Sequence, residues 1–241
     1  MHEAIVLDHI VFSYKPGVPV LNDVSFSVSC GEIAVIAGPN GSGKTTLIKL
    51  IFDLLAKQKG NIKIFGVDHN QVDIKKNILY LPSDNVLPDF LTGNEYIRMM
   101  HKLYDVRPDE ATIYRLAEYY SMGKKLDELM EGYSHGMVKK TELIAAFSIQ
   151  PKLIVIDETL NGIDIEAKEV SKVLIRKYKE KGGTVIVCTH DLELAEEIGE
   201  RAILLYKGTN HREINLCERS DTSLTEIFRT IIHFREEDYV I

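Results

Sequence analysis

The sequence predicts an α/β fold in three parts: a mostly parallel core sheet, an antiparallel β part near the N-terminus and an inserted α-helical subdomain. Three observations carry this. Short, nearly uniform apolar runs, EIAVIAG (32–38), KLIVIDE (152–158) and TVIVCTH (184–190), have the composition of strands covered on both faces. They alternate with stretches of helical period, which implies parallel strands joined by right-handed crossovers. From Thr92 to Gln150 the helical period runs on without a strand.

In chain order, residues 4–28 alternate apolar and polar around VPVLNDVSFSVS, the pattern of antiparallel strands, with turns expected at Pro16-Gly17 and Asn22-Asp23. EIAVIAG is a buried strand. GKTTLIKLIFDLL (43–55) then spaces Leu47, Leu50, Ile51, Leu54 and Leu55 as one face of a helix. NIKIFG (61–66) and NILYLP (77–82) read as strands. Thr92 and Glu95 form a capping box for the first inserted helix. Pro108 opens a second, over DEATIYRLAEYY (109–120). The third starts within MEGYSHGMVKKTELIAAF (130–147) and must end before Pro151, because the residue before a proline is kept out of the α region. After KLIVIDE, the helix IEAKEVSKVLIRKYKEKGG (165–183) stops at Gly182-Gly183. TVIVCTH, a short helix and RAILLYKG (201–208) follow. SLTEIFRTIIHF (223–234) gathers Leu224, Ile227, Phe228, Ile231 and Ile232 on one face, which is expected to pack on the domain.

The 241 residues, 45% apolar, suit one α/β unit with an insertion. We expect a single domain over 1–241, with 1–91 and 151–241 as its core and 92–150 as the helical subdomain. A net charge of -7 argues against nucleic acid as a partner, since that role wants a basic face. Cys30, Cys188 and Cys217 are too few and too far apart for a zinc site or a disulfide framework, so reduced thiols are expected. MHEAIVLDHI lacks the basic start and apolar core of a signal peptide. No apolar run approaches the ~18 residues of a membrane helix, so work at a membrane would need another chain for the span.

GPNGSGKT, Gly38 to Thr45, matches G-x-x-x-x-G-K-S/T between a predicted strand and a predicted helix, the context of a phosphate-binding loop. Backbone N–H groups must curl round a phosphate, and glycine lets the chain come that close. The helix behind it points its positive end at the same anion. Lys44 is expected to reach the β- and γ-phosphates, the Thr45 hydroxyl to ligate Mg²⁺, and Thr46 to add a contact. A phosphate-bound magnesium wants a carboxylate, and Asp157 stands where a buried strand ends, on the side where open α/β sheets bind ligands. Glu158 would orient or activate the attacking water, because phosphoryl transfer relies on positioning and electrostatics. His190, ending the next buried strand, is placed to contact the γ-phosphate.

Together these residues resemble the ATP-binding subunit of ABC (ATP-binding cassette) transporters over essentially the whole chain. The resemblance implies the ABC ATPase fold, ATP and Mg²⁺ as cofactors, and ATP hydrolysis. It makes Gly38, Pro39, Asn40, Gly41, Ser42, Gly43, Lys44, Thr45 and Thr46 the Walker A loop. Tyr14 becomes the adenine-stacking aromatic and Asp157 the magnesium ligand of Walker B. Glu158 becomes the catalytic glutamate, Asp164 the end of the D-loop and His190 the switch histidine. Ser134, His135, Gly136 and Met137 occupy the place of the family signature, usually Leu-Ser-Gly-Gly-Gln, which faces the ATP held by a second, head-to-tail subunit. The inserted helices then dock on integral membrane subunits, and the chain sits peripherally on the cytoplasmic face of the membrane.

The sequence departs from the family at two places. His135 replaces a signature glycine, which carries a cost if φ there must be positive. Either the signature works with His135, the favoured reading, or it is degenerate and the chain pairs with a different ATPase subunit. Ser83, in LPSDN (81–85), stands where the family has a magnesium-sensing glutamine. It is short for a metal ligand, acting through water or yielding that place to Asp84. A homodimer is the favoured assembly over a heterodimer. Export is the expected direction, from the signature variant and the short C-terminal segment. The other readings are a soluble ABC ATPase of the iron–sulfur assembly type and a weakly hydrolysing, regulatory subunit of a heterodimeric transporter.

Overall fold

A computed structural model describes residues 2–84, 87–218 and 222–232. The chain runs β1 (Glu3–Phe12), β2 (Leu21–Ser29), β3 (Ile33–Ala37), α1 (Lys44–Ile51), β4 (Lys59–Ile64), β5 (Val67–Asp68) and β6 (Ile78–Leu81). Next come the inserted helices α2 (Gly93–Leu103), α3 (Glu110–Tyr119) and α4 (His135–Ile149). It returns through β7 (Leu153–Asp157), α5 (Ile165–Glu180), β8 (Thr184–Thr189), α6 (Leu192–Ile198), β9 (Arg201–Tyr206), β10 (Thr209–Asn215) and α7 (Leu224–Ile231).

The core sheet has the order β10-β9-β3-β8-β7-β6. Its strands β9, β3, β8, β7 and β6 are parallel, and β10 pairs antiparallel to β9 at one edge. The apolar runs alternate across it. Val35, Ile154, Ile156 and Val187 face the inserted helices and α5, whereas Ile36, Val155, Ile186 and Ile203 face α1 and the second sheet. That second sheet, β2-β1-β4-β5, is antiparallel and closes over α1, so Leu47, Ile48, Leu50 and Ile51 are fully enclosed. A short helix buried on nearly all sides is held by tertiary packing rather than by its own length.

Several local expectations are corrected. Pro16-Gly17 does make the first turn, with Gly17 at φ 79° and Lys15 bridged to Val18. Asn22-Asp23 is no turn: it lies inside β2, where the register steps from Ile10–Val24 to Phe12–Leu21 and two residues bulge opposite one. Asp23 takes φ 60° there and its carboxylate meets His9 Nδ1 at 2.5 Å. Helix α1 ends at Ile51 because Asp53 turns left-handed at φ 59°, so Leu54 and Leu55 lie beyond it and Leu54 is exposed. The Thr92–Glu95 capping box forms in both directions, at 3.1 and 2.9 Å. Pro108 does not open α3 but stands one residue before its cap, Asp109, which accepts from Ala111 N–H at 3.1 Å. The short β5 and the polar edge strand β10 lacked an apolar signal. On α7, Leu224 and Ile227 are buried and Phe228 meets Tyr206 edge-on at 5.9 Å. His233 and Phe234 lie outside the described residues.

Helix α4 is the hub of the insertion. Leu143, Ile144 and Ala146 are fully buried, and so is the charged Lys139. Its ammonium donates to the Pro82 carbonyl at 2.7 Å and the Asp84 carbonyl at 3.2 Å, and lies 3.2 Å from Glu142 Oε2. Burial pushes the Glu142 carboxyl up to about 7, with the Lys139 ammonium opposing. Lys139 therefore ties α4 to the loop after β6.

Two outcomes follow from this buried pair. At pH 8, Lys139→Met should lower unfolding free energy by about 3–5 kcal/mol, because it strands a buried carboxylate, while Lys139→Met with Glu142→Met recovers most of the loss in urea titrations. A carboxyl raised in the folded state binds its proton more tightly there, so its stabilising contribution is full below the ordinary 4.5 and is lost as pH climbs to about 7. Melting of the wild type relative to Glu142→Gln should therefore worsen across that interval.

Candidate functional site

The phosphate loop joins β3 to α1 at the C-terminal edge of the core sheet. Its glycines answer to local geometry. A Cβ on Gly38 would lie 2.1 Å from the Leu205 carbonyl oxygen, and Gly43, which caps α1, takes φ 107° with the Leu21 side chain 2.7 Å from where a Cβ would stand. No side chain caps α1 and no acidic residue occupies its first turn, so the N–H groups at its positive end remain available to an anion. The Ser42 hydroxyl is buried without a partner among the described residues. Lys44 folds back over the loop, donating to the Gly38 carbonyl at 2.7 Å and the Pro39 carbonyl at 3.2 Å.

The two carboxylates enter from β7. Asp157 is wholly buried, and burial raises its pKa, with the nearby Thr45 and Tyr80 hydroxyls opposing. Tyr80 Oη donates to Asp157 Oδ2 at 3.2 Å, and Oδ1 is buried without a partner among the described residues. Glu158 takes the left-handed region at φ 55°, an uncommon conformation for a non-glycine residue, and its N–H is fixed to the Cys188 carbonyl at 3.0 Å. That twist turns its carboxylate to Lys44 at 3.6 Å, His190 Nδ1 at 2.9 Å and the Asn161 amide at 2.5 Å. Lys44, Asp157, Glu158 and His190, predicted separately, thus meet at one sheet edge.

The other predicted residues take these places. Pro39, Asn40, Gly41 and Thr46 complete the loop, Gly41 at φ 79°. Tyr14 stands beside it, with its hydroxyl 3.3 Å from Thr46 Oγ1, its ring edge-on to Phe12 and 57% exposed. Ser83 is partly buried in the loop after β6, between the two carbonyls held by Lys139. Ser134 caps α4, accepting from Met137 N–H at 3.3 Å, and both Ser134 and His135 are exposed. His135 has helical backbone and no positive φ, so this position does not need a glycine. Gly136 lies against the turn after β7, where a Cβ would come within 3.2 Å of the Gly162 carbonyl. Asp164 caps α5 through Ala167 N–H at 2.9 Å and pairs with Lys140 at 2.5 Å, a contact that holds its carboxyl below its ordinary range.

An orphaned buried carboxylate oxygen beside the Thr45 hydroxyl suits a hard, oxygen-seeking cation such as Mg²⁺. Asp157 and Thr45 would hold it, and the ion when bound supplies positive charge to phosphate oxygens. Three residues of this site escaped the sequence reading. Tyr80 sat in a predicted strand whose face was unknown, Asn161 reaches back from a turn, and Lys140 is one of several lysines on a helix.

The sequence pattern of the ABC transporter family matches residues 21–161. The chain is 32% identical to the uncharacterized ABC transporter ATP-binding protein YdbJ of Bacillus subtilis, over 85% of this chain and 67% of that protein. It is 29% identical to the SkfA peptide export ATP-binding protein SkfE of the same organism, over 77% of this chain and 78% of the relative. It superposes at TM-score 0.78 and 25% identity on a dimeric ATP-binding cassette in a post-hydrolysis state bound to ADP and Pi, covering 90% of this chain and 99% of that one.

Gly38→Ala probes the loop geometry directly. The added methyl meets backbone, which cannot turn aside, so the substitution should cost about 1–3 kcal/mol in thermal unfolding. Titration with a fluorescent ATP analogue should show binding weakened in parallel.

Proposed function

The chain belongs to the ABC transporter family, and on that footing we propose that it is the ATP-binding and ATP-hydrolysing subunit of a transporter, pairing head to tail around ATP. The observation that carries this reading is the cluster in which the Lys44 ammonium, the Glu158 carboxylate and the His190 ring stand within hydrogen-bonding or ion-pair range at the mouth of the phosphate loop. A triphosphate entering the loop offers Lys44 oxygens in place of the carbonyls it now holds. Glu158 then accepts a proton from a water that attacks the γ-phosphorus, the bond to the bridging oxygen breaks, and ADP and phosphate leave. His190 and Asn161 orient the Glu158 carboxylate, and the exposed Tyr14 ring stacks on adenine.

In the same reading, the Ser134 hydroxyl and the first N–H groups of α4 face the γ-phosphate held by a second copy. His135, Gly136 and Met137 line that contact, and Asp164 lies in the turn beside it. The exposure of Ser134 and His135 supports this, as does the dimeric state of the structural relative. Two copies of this chain form the pair. No helix among the described residues is long and apolar enough to cross a membrane. Integral membrane subunits carry the substrate path, and residues 92–150 of this single domain relay ATP-driven closure to them from the cytoplasmic face. Export is the proposed direction, supported by the relative named for peptide export. The helical backbone of His135 removes the strain that would have favoured a degenerate, regulatory subunit.

Glu158→Gln should slow hydrolysis and trap a dimer, so that adding ATP doubles the mass measured in solution. A chain that stays monomeric until a different cassette subunit is supplied would overturn the homodimer. Lys44→Ala should abolish ATP binding in calorimetry, and retention of binding would remove the loop from the site.

A further inference from the structure

Tyr80 belongs to β6, the edge strand of the core sheet, and lies opposite Val155 of β7 in the parallel register. Its ring stacks on Phe52, with centroids 5.2 Å apart and planes 30° from parallel. This packing leaves the hydroxyl little freedom and aims it at Asp157 Oδ2, 3.2 Å away. The two oxygens of Asp157 are therefore unequal: Oδ2 is anchored, and Oδ1 is buried with no partner among the described residues. A buried carboxylate oxygen left bare is costly unless a ligand completes it. Metal-ligating carboxylates are characteristically held in this way, by a hydrogen bond on the oxygen turned from the ion.

We infer that Tyr80 is a positioning residue for the magnesium of the ATP complex: its hydroxyl fixes the rotation of the Asp157 carboxylate so that Oδ1 is the oxygen presented to the ion. The inference rests on the reading that Asp157 and Thr45 hold the magnesium of the ATP complex. The orientation matters more here because the neighbouring loop supplies Ser83, too short to reach far. Tyr80 touches neither nucleotide nor metal and acts only through Asp157.

The test uses Mn²⁺ as a reporter ion, titrated into the full chain saturated with a non-hydrolysable ATP analogue, with free Mn²⁺ read by electron paramagnetic resonance. Tyr80→Phe keeps the ring on Phe52 and removes only the hydroxyl. It should weaken Mn²⁺ binding about tenfold, while affinity for the analogue in EDTA stays at the wild-type value. A merely structural role would move both or neither. Phe52→Leu, which loosens the ring and keeps the hydroxyl, should give a smaller loss of the same kind and serves if Tyr80→Phe folds poorly. Wild-type Mn²⁺ affinity in Tyr80→Phe, with Asp157→Ala losing the ion, overturns the inference and leaves the site assignment standing. Wild-type affinity in Asp157→Ala as well overturns the assignment itself.

Discussion

The arrangement of this protein depends on one electrostatic constraint: an ammonium, a buried carboxylate and a partly buried one gathered at one sheet edge. Lys44 is 6% exposed and Asp157 is fully buried, and the two carboxylates follow each other at the end of one strand. Interactions among such groups are strengthened by the low local dielectric, and each is expensive to leave unmatched. The sheet can hold them only because β7 lies between β6 and β8, with β3 on the far side of β8. Those neighbours deliver Tyr80, His190 and the loop of Lys44 to the same edge. Parallel strands with every neighbour in register are what make an edge of this kind.

The polar atoms at this edge are unequally matched. Lys44 satisfies itself on its own loop carbonyls, while one oxygen of Asp157 and the Ser42 hydroxyl have no partner among the described residues. The left-handed twist of Glu158 belongs to the same design, since only that backbone turn brings its carboxylate from the strand axis to Lys44 and His190.

The inserted helices are bound to this edge by polar contacts as well as by apolar packing. Lys139 grips the carbonyls of Pro82 and Asp84, and Lys140 pairs with Asp164 beside the turn that holds Asn161. Asn161 in turn bonds Glu158. The exposed start of α4 is thereby connected through short, directional contacts to both the loop after β6 and the carboxylate next to Lys44.

The linear pattern determined the fold class, the capping box of α2, the buried strands and the glycine-rich loop between β3 and α1, because each rests on neighbours within a few residues. Period-two and helical spacing, glycine freedom and cap chemistry are local properties. It failed where the decision was made across space. The Asn22-Asp23 pair reads as a turn but is absorbed as a bulge by pairing with β1, and β10 is a strand because β9 offers it an edge. The face that Tyr80 presents, the burial of Lys139 and the helical backbone at His135 were likewise decided by tertiary contacts. The sequence picked out the charged groups that meet at the sheet edge, since their chemistry travels with residue type. Only the folded chain decided which atoms face one another, because distance and burial are set by strand order and packing rather than by separation along the chain.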